Sequence, residues 1–472
     1  MTDTGASATI LNEIKEAYYS RTVRSREKNT VAVKFLPGGD TRAATYFAPY
    51  PTHIVHGDGC YVFDADGNRY LDFLNNFTQQ ILGHNNPSIK KAVIEQLEHG
   101  TIFGAPHESQ AKLAEELCKR IPCFQKVRFC NSGTEATMFA IKGARAFTGK
   151  SKIIKVEGMY HGTHDLAEAS IFPPLDMAGD PESPWVVPYN KGIPPNTFEN
   201  VIVVPFNNTR SLEMAIDRNR GEIAAMIMEP IMTAAGLIPA TEEYLTSARK
   251  LTENEEIVLI FDEVVTFRLS PGGAQELYGV IPDMTTVGKF IGGGFPIGAF
   301  GGNDEIMSIF SPPDDVFSAS AVNVKHSGTF NGHPVIMSSG MATMKELTPD
   351  VYQRMNSLGD LFRQRLNTEV FEDLGVVAQA TGWGSLLFIH YTLNALNNYR
   401  DARLAHDAAG ELPVFVHLDL LNNGIWIAER GEIALSAPMM EENIDEAVEA
   451  YRKTFTKILP FLRNSMSHLI RS

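Results

Sequence analysis

Three stretches of this sequence hold residue types whose chemistries fit together. Residues 126–149, KVRFCNSGTEATMFAIKGARAFTG, read as a strand ending at Cys130, a tight Asn131-Ser132-Gly133-Thr134 turn, and a helix from about Glu135. Such a turn aims backbone N–H groups and two hydroxyls at the positive end of a helix dipole, which suits a phosphate. An N-capped helix with nothing bound is the alternative, because S-G-T-E is also capping chemistry. Residues 257–268, IVLIFDEVVTFR, put Asp262 and Glu263 at the C-terminal end of a buried strand, the edge where α/β sheets bind ligands. A carboxylate there can face a positive ligand atom or cap the next loop. Residues 285–302, TTVGKFIGGGFPIGAFGG, set Lys289 between a strand and a glycine cluster. A desolvated lysine is a Schiff-base nucleophile, because burial disfavours its charged form; a solvated lysine beside a turn is the plainer reading. The following IGAFGG glycines are expected to serve chain packing around Lys289.

A phosphate seat, a strand-end acid and a lysine 27 residues later match the needs of pyridoxal phosphate. It requires a phosphate anchor, an amine for covalent attachment and an acid partner for its ring nitrogen. Neither a P-loop nor a dinucleotide fingerprint competes. Gly288-Lys289 lacks the glycine five residues earlier and the Ser/Thr that follows, and the glycines of 292–298 have the wrong spacing. His161 and His164 form an H-x-x-H without Cys or Glu partners, so no metal is expected.

The elements that must position these residues follow from hydrophobic patterning. Between about 85 and 345, unalternating apolar runs such as KVRFC, SKIIKVEG, VIVVPF, EIAAMIMEP and IVLIFDEV are separated by helical periods. That is the pattern of a largely parallel sheet buried on both faces. Before it, residues 10–30 read as a docking helix, and GDGCYVFDADGNRYLDF as a hairpin around Asp64-Ala65-Asp66-Gly67. After it come mixed helices and strands. The division expected is 1–80 as N-terminal segment and hairpin of a small domain, 81–344 as the large cofactor-binding domain, and 345–472 as the rest of the small domain.

The chain resembles the class III, fold-type I pyridoxal-phosphate aminotransferases over roughly 35–460. LPGGDTR, LDFLNNFTQQILGHNNP, NSGTEATM, EGMYHG, MEP, FDEV, GKFIGGGFPIGAFGG and HSGTFNGHP occur in the expected order. Its motifs are most similar to those of the β-phenylalanine (β-amino acid) aminotransferases and of glutamate-1-semialdehyde 2,1-aminomutase. The resemblance implies an α/β fold with a mostly parallel large-domain sheet and a small α+β domain made from both chain ends. It implies that Ser132, Gly133 and Thr134 bind the phosphate, that Tyr160 packs on the ring, and that Val264 lies against its other face. Asp262 would pair with the ring nitrogen and Lys289 would be the attachment point and proton carrier. His161 and Glu229 would lie beside the cofactor, Glu229 as a loop support or a substrate contact. Thr329 would reach the phosphate of the neighbouring subunit, making the active unit a homodimer.

Two arginines bear on the reaction. Arg42 in LPGGDTR and Arg430 in IAERGEIALS look like substrate-binding residues, since a β-amino acid and an α-keto acid both present carboxylates that a guanidinium fork grips. Surface ion pairing is the alternative for each. The resemblance favours transfer of an amino group from a β-amino acid, or a related ω-amino acid or amine, to 2-oxoglutarate or pyruvate. Isomerisation of the aminomutase type is the alternative. DEVVTFR departs from the usual D-E-V-x-T-G-F-R, which puts a substrate role for Arg268 in doubt.

Composition sets the outer limits. With 472 residues, 41 Lys+Arg against 56 Asp+Glu and a formal charge of −15, the chain lacks the basic footprint of a nucleic-acid or anionic-membrane surface. It has no apolar run near the roughly 20 residues needed to span a bilayer and no secretory-type start, so a cytoplasmic protein is expected. Cys60, Cys118, Cys123 and Cys130 form no C-x-x-C pair and are expected to be buried thiols.

Overall fold

The computed structural model describes residues 4–311 and 324–471, and the chain divides into two compact units. One comprises Met1–Asn86, Arg354–Ala395 and Leu404–Ser472; the other comprises Pro87–Gln353 and Leu396–Arg403. The breaks thus fall at 86/87 and 353/354, where the sequence reading put them at 80/81 and 344/345.

In the first unit the N-terminal helix α1 (Thr4–Arg21) stops at Thr22 and a second helix runs over Val23–Ala32, in place of one helix over 10–30. Thr22 sits at φ −123°, ψ 40°, and its hydroxyl donates to the Tyr18 carbonyl at 2.6 Å, a local bond that competes with the helix ladder. Strands β1 (Ile54–Asp58), β2 (Tyr61–Asp64) and β3 (Arg69–Asp72) are antiparallel neighbours. The β2–β3 turn is held by Asp64, whose Oδ1 accepts from the N–H groups of Asp66 (2.9 Å) and Asn68 (2.8 Å), while Gly67 supplies φ +88°.

The second unit is built on a seven-stranded sheet. Its strands are β4 (Lys126–Cys130), β5 (Lys152–Val156), β6 (Val201–Val204), β7 (Ile223–Met228), β8 (Val258–Asp262), β9 (Met284–Gly288) and β10 (Gly298–Gly302), in spatial order β4-β10-β9-β8-β7-β5-β6. Every pairing from β9 to β6 is parallel, and only β10 runs antiparallel to its neighbours. The absence of polar alternation has a direct cause. Leu259 and Phe261 of β8 enter one core cluster while Val258 and Ile260 enter another, so both faces are buried. The IGAFGG glycines form this antiparallel strand, with Gly298 directly opposite Gly288, the residue before Lys289. A Cβ on Gly298 would lie 2.0 Å from the Ser132 carbonyl oxygen, so glycine is required for the strand to pass beside the Ser132 turn.

The chain then returns to the first unit with β11 (Gln379–Trp383), β12 (Leu386–His390), helix α3 (Leu412–Asn422), β13 (Ile425–Trp426), β14 (Glu432–Ala434) and helix α4 (Glu441–Ser465). β13 joins β3 in parallel, and β11, β12 and β14 form an antiparallel sheet. α1 packs on α3 and α4, burying Ile14 and Tyr18 in this unit's core. Cys60, Cys123 and Cys130 are buried thiols, whereas Cys118 is partly exposed. Among the described residues no helix is long and apolar enough to cross a membrane.

Residues 396–403 belong with the large unit for a specific reason. Arg400 Nε and Nη2 donate to Glu157 at 2.9 and 3.0 Å and its guanidinium also meets the carbonyls of Ala178 and Gly179, while Tyr399 Oη donates to Pro173 O at 2.7 Å. Glu157 is 2% exposed, and burial pushes its carboxyl above the ordinary range in spite of the arginine. The cost of burying the carboxylate therefore exceeds the attraction, and the pair fixes geometry more than it stabilises. Arg400→Ala should cost about 3–5 kcal/mol in chemical denaturation because Glu157 is left buried and unpaired. The double variant Arg400→Met/Glu157→Leu should lose clearly less.

Candidate active site

The site in the large unit begins where β4 runs into helix α2 (Gly133–Thr148). Ser132 is extended (φ −156°, ψ 159°) and its Oγ accepts from Glu135 N at 3.1 Å; Glu135 reaches back to Asn131 N at 2.8 Å. This reciprocal capping leaves the N–H groups of Gly133 and Thr134 at the start of a 16-residue helix, outside its hydrogen-bond ladder. The capping role and an anion seat are therefore compatible, and the helix starts two residues earlier than the sequence suggested. A Cβ on Gly133 would lie 3.2 Å from Val264, so the glycine opens space beside that side chain.

The EGMYHG loop is fastened to this turn. Thr137 Oγ1 donates to the His161 carbonyl at 2.6 Å, and Thr163 N donates to Thr134 Oγ1 at 3.2 Å. Gly162, at φ +96°, allows the approach, for a Cβ there would meet Thr134 Oγ1 at 2.5 Å. Tyr160 is 41% exposed, while His161 is buried.

Asp262 closes β8 and is 5% exposed. Its Oδ2 lies 2.8 Å from His161 Nδ1, and its Oδ1 accepts from Thr286 Oγ1 at 3.0 Å and Val264 N at 3.1 Å. Burial lowers the His161 pKa against the pull of Asp262, so the imidazole is neutral, with Nδ1–H donating to the carboxylate. His164 is likewise pushed down, to about 4, by burial and by His161. Lys289 directly follows β9 at φ +52°, a left-handed conformation that costs a non-glycine residue of order 1 kcal/mol.

Two buried ionisable groups complete the cluster. Glu229 follows β7, is 3% exposed, and accepts from the Thr233 hydroxyl and from Thr233 N at 3.4 Å. Burial first and Asp262 second push its carboxyl up to about 8, with Thr233 and Lys289 pulling the other way. Lys155 is wholly buried and donates to the Met159 carbonyl at 2.6 Å, immediately before Tyr160. Burial lowers its amine to about 7 against the charges of Glu229 and Glu157. Neither Lys155 nor Thr286 was singled out from sequence. The visible signal for Lys155 is one lysine inside the apolar run KIIKV.

Thr329, Arg268, Arg42 and Arg430 are the remaining expected residues. Thr329 is exposed; two residues on, Asn331 Oδ1 accepts from Asn131 Nδ2 at 2.9 Å. Arg268 is wholly buried, in accord with the doubt over a substrate role. Arg42 and Arg430 belong to the smaller unit, where both approach Phe77, with guanidinium carbons 5.2 and 5.9 Å from its ring centre. Phe77 rides on a turn in which Asn75, Asn76, Phe77 and Thr78 all have positive φ (49°, 49°, 55° and 72°). Four successive non-glycine residues there are costly, and such strain gathers at working sites. Phe77 was not a candidate from sequence.

Residues 44–455 match the family described as aminotransferase class-III. The chain is a class III aminotransferase. It is 42% identical over 381 residues to the glutamate-1-semialdehyde 2,1-aminomutase of Methanocaldococcus jannaschii, covering 80% of this chain and 86% of the relative. Among solved structures it resembles an omega-transaminase from Sphaerobacter thermophilus, with 40% identity, TM-score 0.86 and 92% and 97% of the two chains covered. It also resembles a β-phenylalanine aminotransferase from Variovorax paradoxus, with 31% identity, TM-score 0.85 and 96% and 98% coverage. This class III aminotransferase has the fold-type I architecture and uses pyridoxal phosphate. Its residues suit that group: an anion seat at a capped helix start, a buried carboxylate at a strand end, and a lysine amine nearby.

The buried glutamate gives a pH signature. Glu229 holds its proton more tightly in the folded state (about 8) than at its ordinary value of 4.5, so folding stability falls as pH rises between those values. Lys155 adds the opposite slope only above about 7. Between pH 5 and 7 the thermal midpoint of cofactor-free Glu229→Gln should therefore gain on wild type by ~2–4 °C. A constant difference across that window would show Glu229 to be ionised.

Proposed function

We propose that this enzyme moves an amino group from a β-amino acid, or a related ω-amino acid or amine, to an α-keto acid such as 2-oxoglutarate or pyruvate. The observation that carries the reading is the pair of guanidiniums on Phe77, because donor and acceptor each bring a carboxylate to be held. The similarity to an omega-transaminase and a β-phenylalanine aminotransferase supports it. A second reading, internal amine shift of the aminomutase type, is favoured by the 42% identity to the Methanocaldococcus protein.

Bound pyridoxal phosphate supplies an electron sink for the bond-breaking carbon of the substrate. Ser132, Gly133 and Thr134 bind its phosphate with backbone N–H groups and hydroxyls. Tyr160 and Val264 would hold the ring. Asp262 keeps a proton on the ring nitrogen, and His161, Thr286 and the Val264 N–H orient that carboxylate. Lys289 would be the amine that holds the cofactor covalently, and it would move the proton at the substrate's amine carbon. Glu229 lines the same pocket, and Arg42 and Arg430 bind the substrate carboxylates. The active unit is a homodimer in which Thr329 reaches the phosphate of the neighbouring subunit. The enzyme works in the cytoplasm.

Two measurements test the site and the reaction. Lys289→Ala should abolish turnover and leave no cofactor mass on the protein after borohydride treatment and denaturation, whereas wild type keeps it. Asp262 and the Ser132 turn remain in that variant, so cofactor held non-covalently is compatible with the proposal. Arg42→Ala should lower kcat/KM for β-phenylalanine at least ~10-fold and leave uncarboxylated amines within about twofold. Conversion of glutamate-1-semialdehyde with no keto acid added, and no keto-acid consumption with any β-amino acid, would establish the second reading instead.

A further inference from the structure

Lys155 occupies a place where a lysine is expensive. It lies near the C-terminal end of β5, wholly buried, and its cross-strand neighbours are Val203 of β6 and Ile227 of β7. A leucine or methionine would fill the same space without stripping an ammonium of its hydration. The charges of Glu229 and Glu157 offset part of that cost. The direct contact is a hydrogen bond, in which Nζ donates to the Met159 carbonyl at 2.6 Å. The Val156 carbonyl, at 3.5 Å, is too far to replace it.

That acceptor has a particular place in the chain. The Met159 carbonyl shares a planar peptide unit with the Tyr160 N–H, so a donor that fixes the oxygen fixes the plane from which the Tyr160 Cα departs. Other contacts hold the rest of the loop. Glu157 is gripped by Arg400, and Gly158 lies against Tyr399. Met159 Sδ accepts from Glu229 N at 3.1 Å. His161 is held at its ring by Asp262 and at its carbonyl by Thr137. Lys155 acts between these ties, on the peptide that leads into Tyr160. Because Tyr160 is exposed, the direction of its ring depends strongly on the backbone that carries it.

We propose that Lys155 is a positioning residue for Tyr160: by holding the peptide between Met159 and Tyr160 it sets the tyrosine ring against the face of the cofactor. The inference rests on the reading above that Tyr160 packs on the pyridoxal ring. It adds the reason a buried amine stands in a strand that is otherwise apolar at this depth.

The holoenzyme tests this without turnover. Visible circular dichroism of bound pyridoxal phosphate reports the asymmetry of the ring's surroundings, and dialysis gives the rate at which the cofactor leaves. Tyr160→Ala should alter the band and speed cofactor loss ~3- to 10-fold, the range of one aromatic contact. Lys155→Met, which keeps most of the side chain and removes the donor, should reproduce at least about half of both changes. In the Tyr160→Ala background Lys155→Met should add almost nothing, because its route to the ring is already gone. In the Glu229→Gln background its effect should persist, which separates position from charge. A Lys155→Met holoenzyme with the wild-type band and release rate, or effects that add in full to those of Tyr160→Ala, overturns the proposal. A Tyr160→Ala band identical to wild type overturns the ring reading itself, and the proposal with it. If Lys155→Met does not fold, Lys155→Gln, with its shorter polar arm, takes its place in the same cycle.

Discussion

Asp262 is a carboxylate withdrawn from water at the end of a strand buried on both faces, and the large unit is arranged around the need to satisfy it. His161 answers one oxygen; Thr286 and the Val264 N–H answer the other. To bring His161 there, the loop after β5 must lie against the first turn of α2, which requires Gly162 against Thr134 and the Thr137 hydroxyl on the His161 carbonyl. The same contact places Tyr160 and the Ser132 turn side by side. One buried charge thus determines the meeting of two loops that are about thirty residues apart in sequence.

Around that centre, burial favours the uncharged form of three groups. Glu229 rises, Lys155 falls, and His161 is kept uncharged. A low-dielectric pocket makes each of these charges expensive alone and strengthens its influence on the next. Lys155 also has a mechanical part, because its amine holds the carbonyl of Met159 and so anchors the loop that carries Tyr160 and His161.

What could be seen in the sequence depended on how local the cause was. The strand ends at Cys130 and Asp262, the Ser132 turn and the position of Lys289 are set by neighbours in sequence: apolar runs, capping residues, glycines. The all-apolar strands announced a sheet covered on both faces. Lys155, Thr286 and Phe77 were not visible, because each matters through a partner brought in from elsewhere in the fold. The close approach at Gly298 was hidden for a related reason: it answers to the carbonyl of Ser132, in the turn after the neighbouring strand, and no pattern within IGAFGG betrays that neighbour. The helix break at Thr22 was hidden too, since a threonine mid-helix is ordinary until its hydroxyl takes the Tyr18 carbonyl.

The late return of residues 396–403 to the large unit has a consequence for biosynthesis. Glu157 and Arg400 are 243 residues apart. At ribosomal speeds of roughly 5–20 residues per second, the arginine is made about 12 to 50 s after the glutamate. Even once the last strand of its sheet, Gly298–Gly302, has been made, the nascent large unit lacks the cation that the interior carboxylate requires. The unit must wait, with Glu157 protonated or still open to water, until nearly the whole polypeptide has been translated.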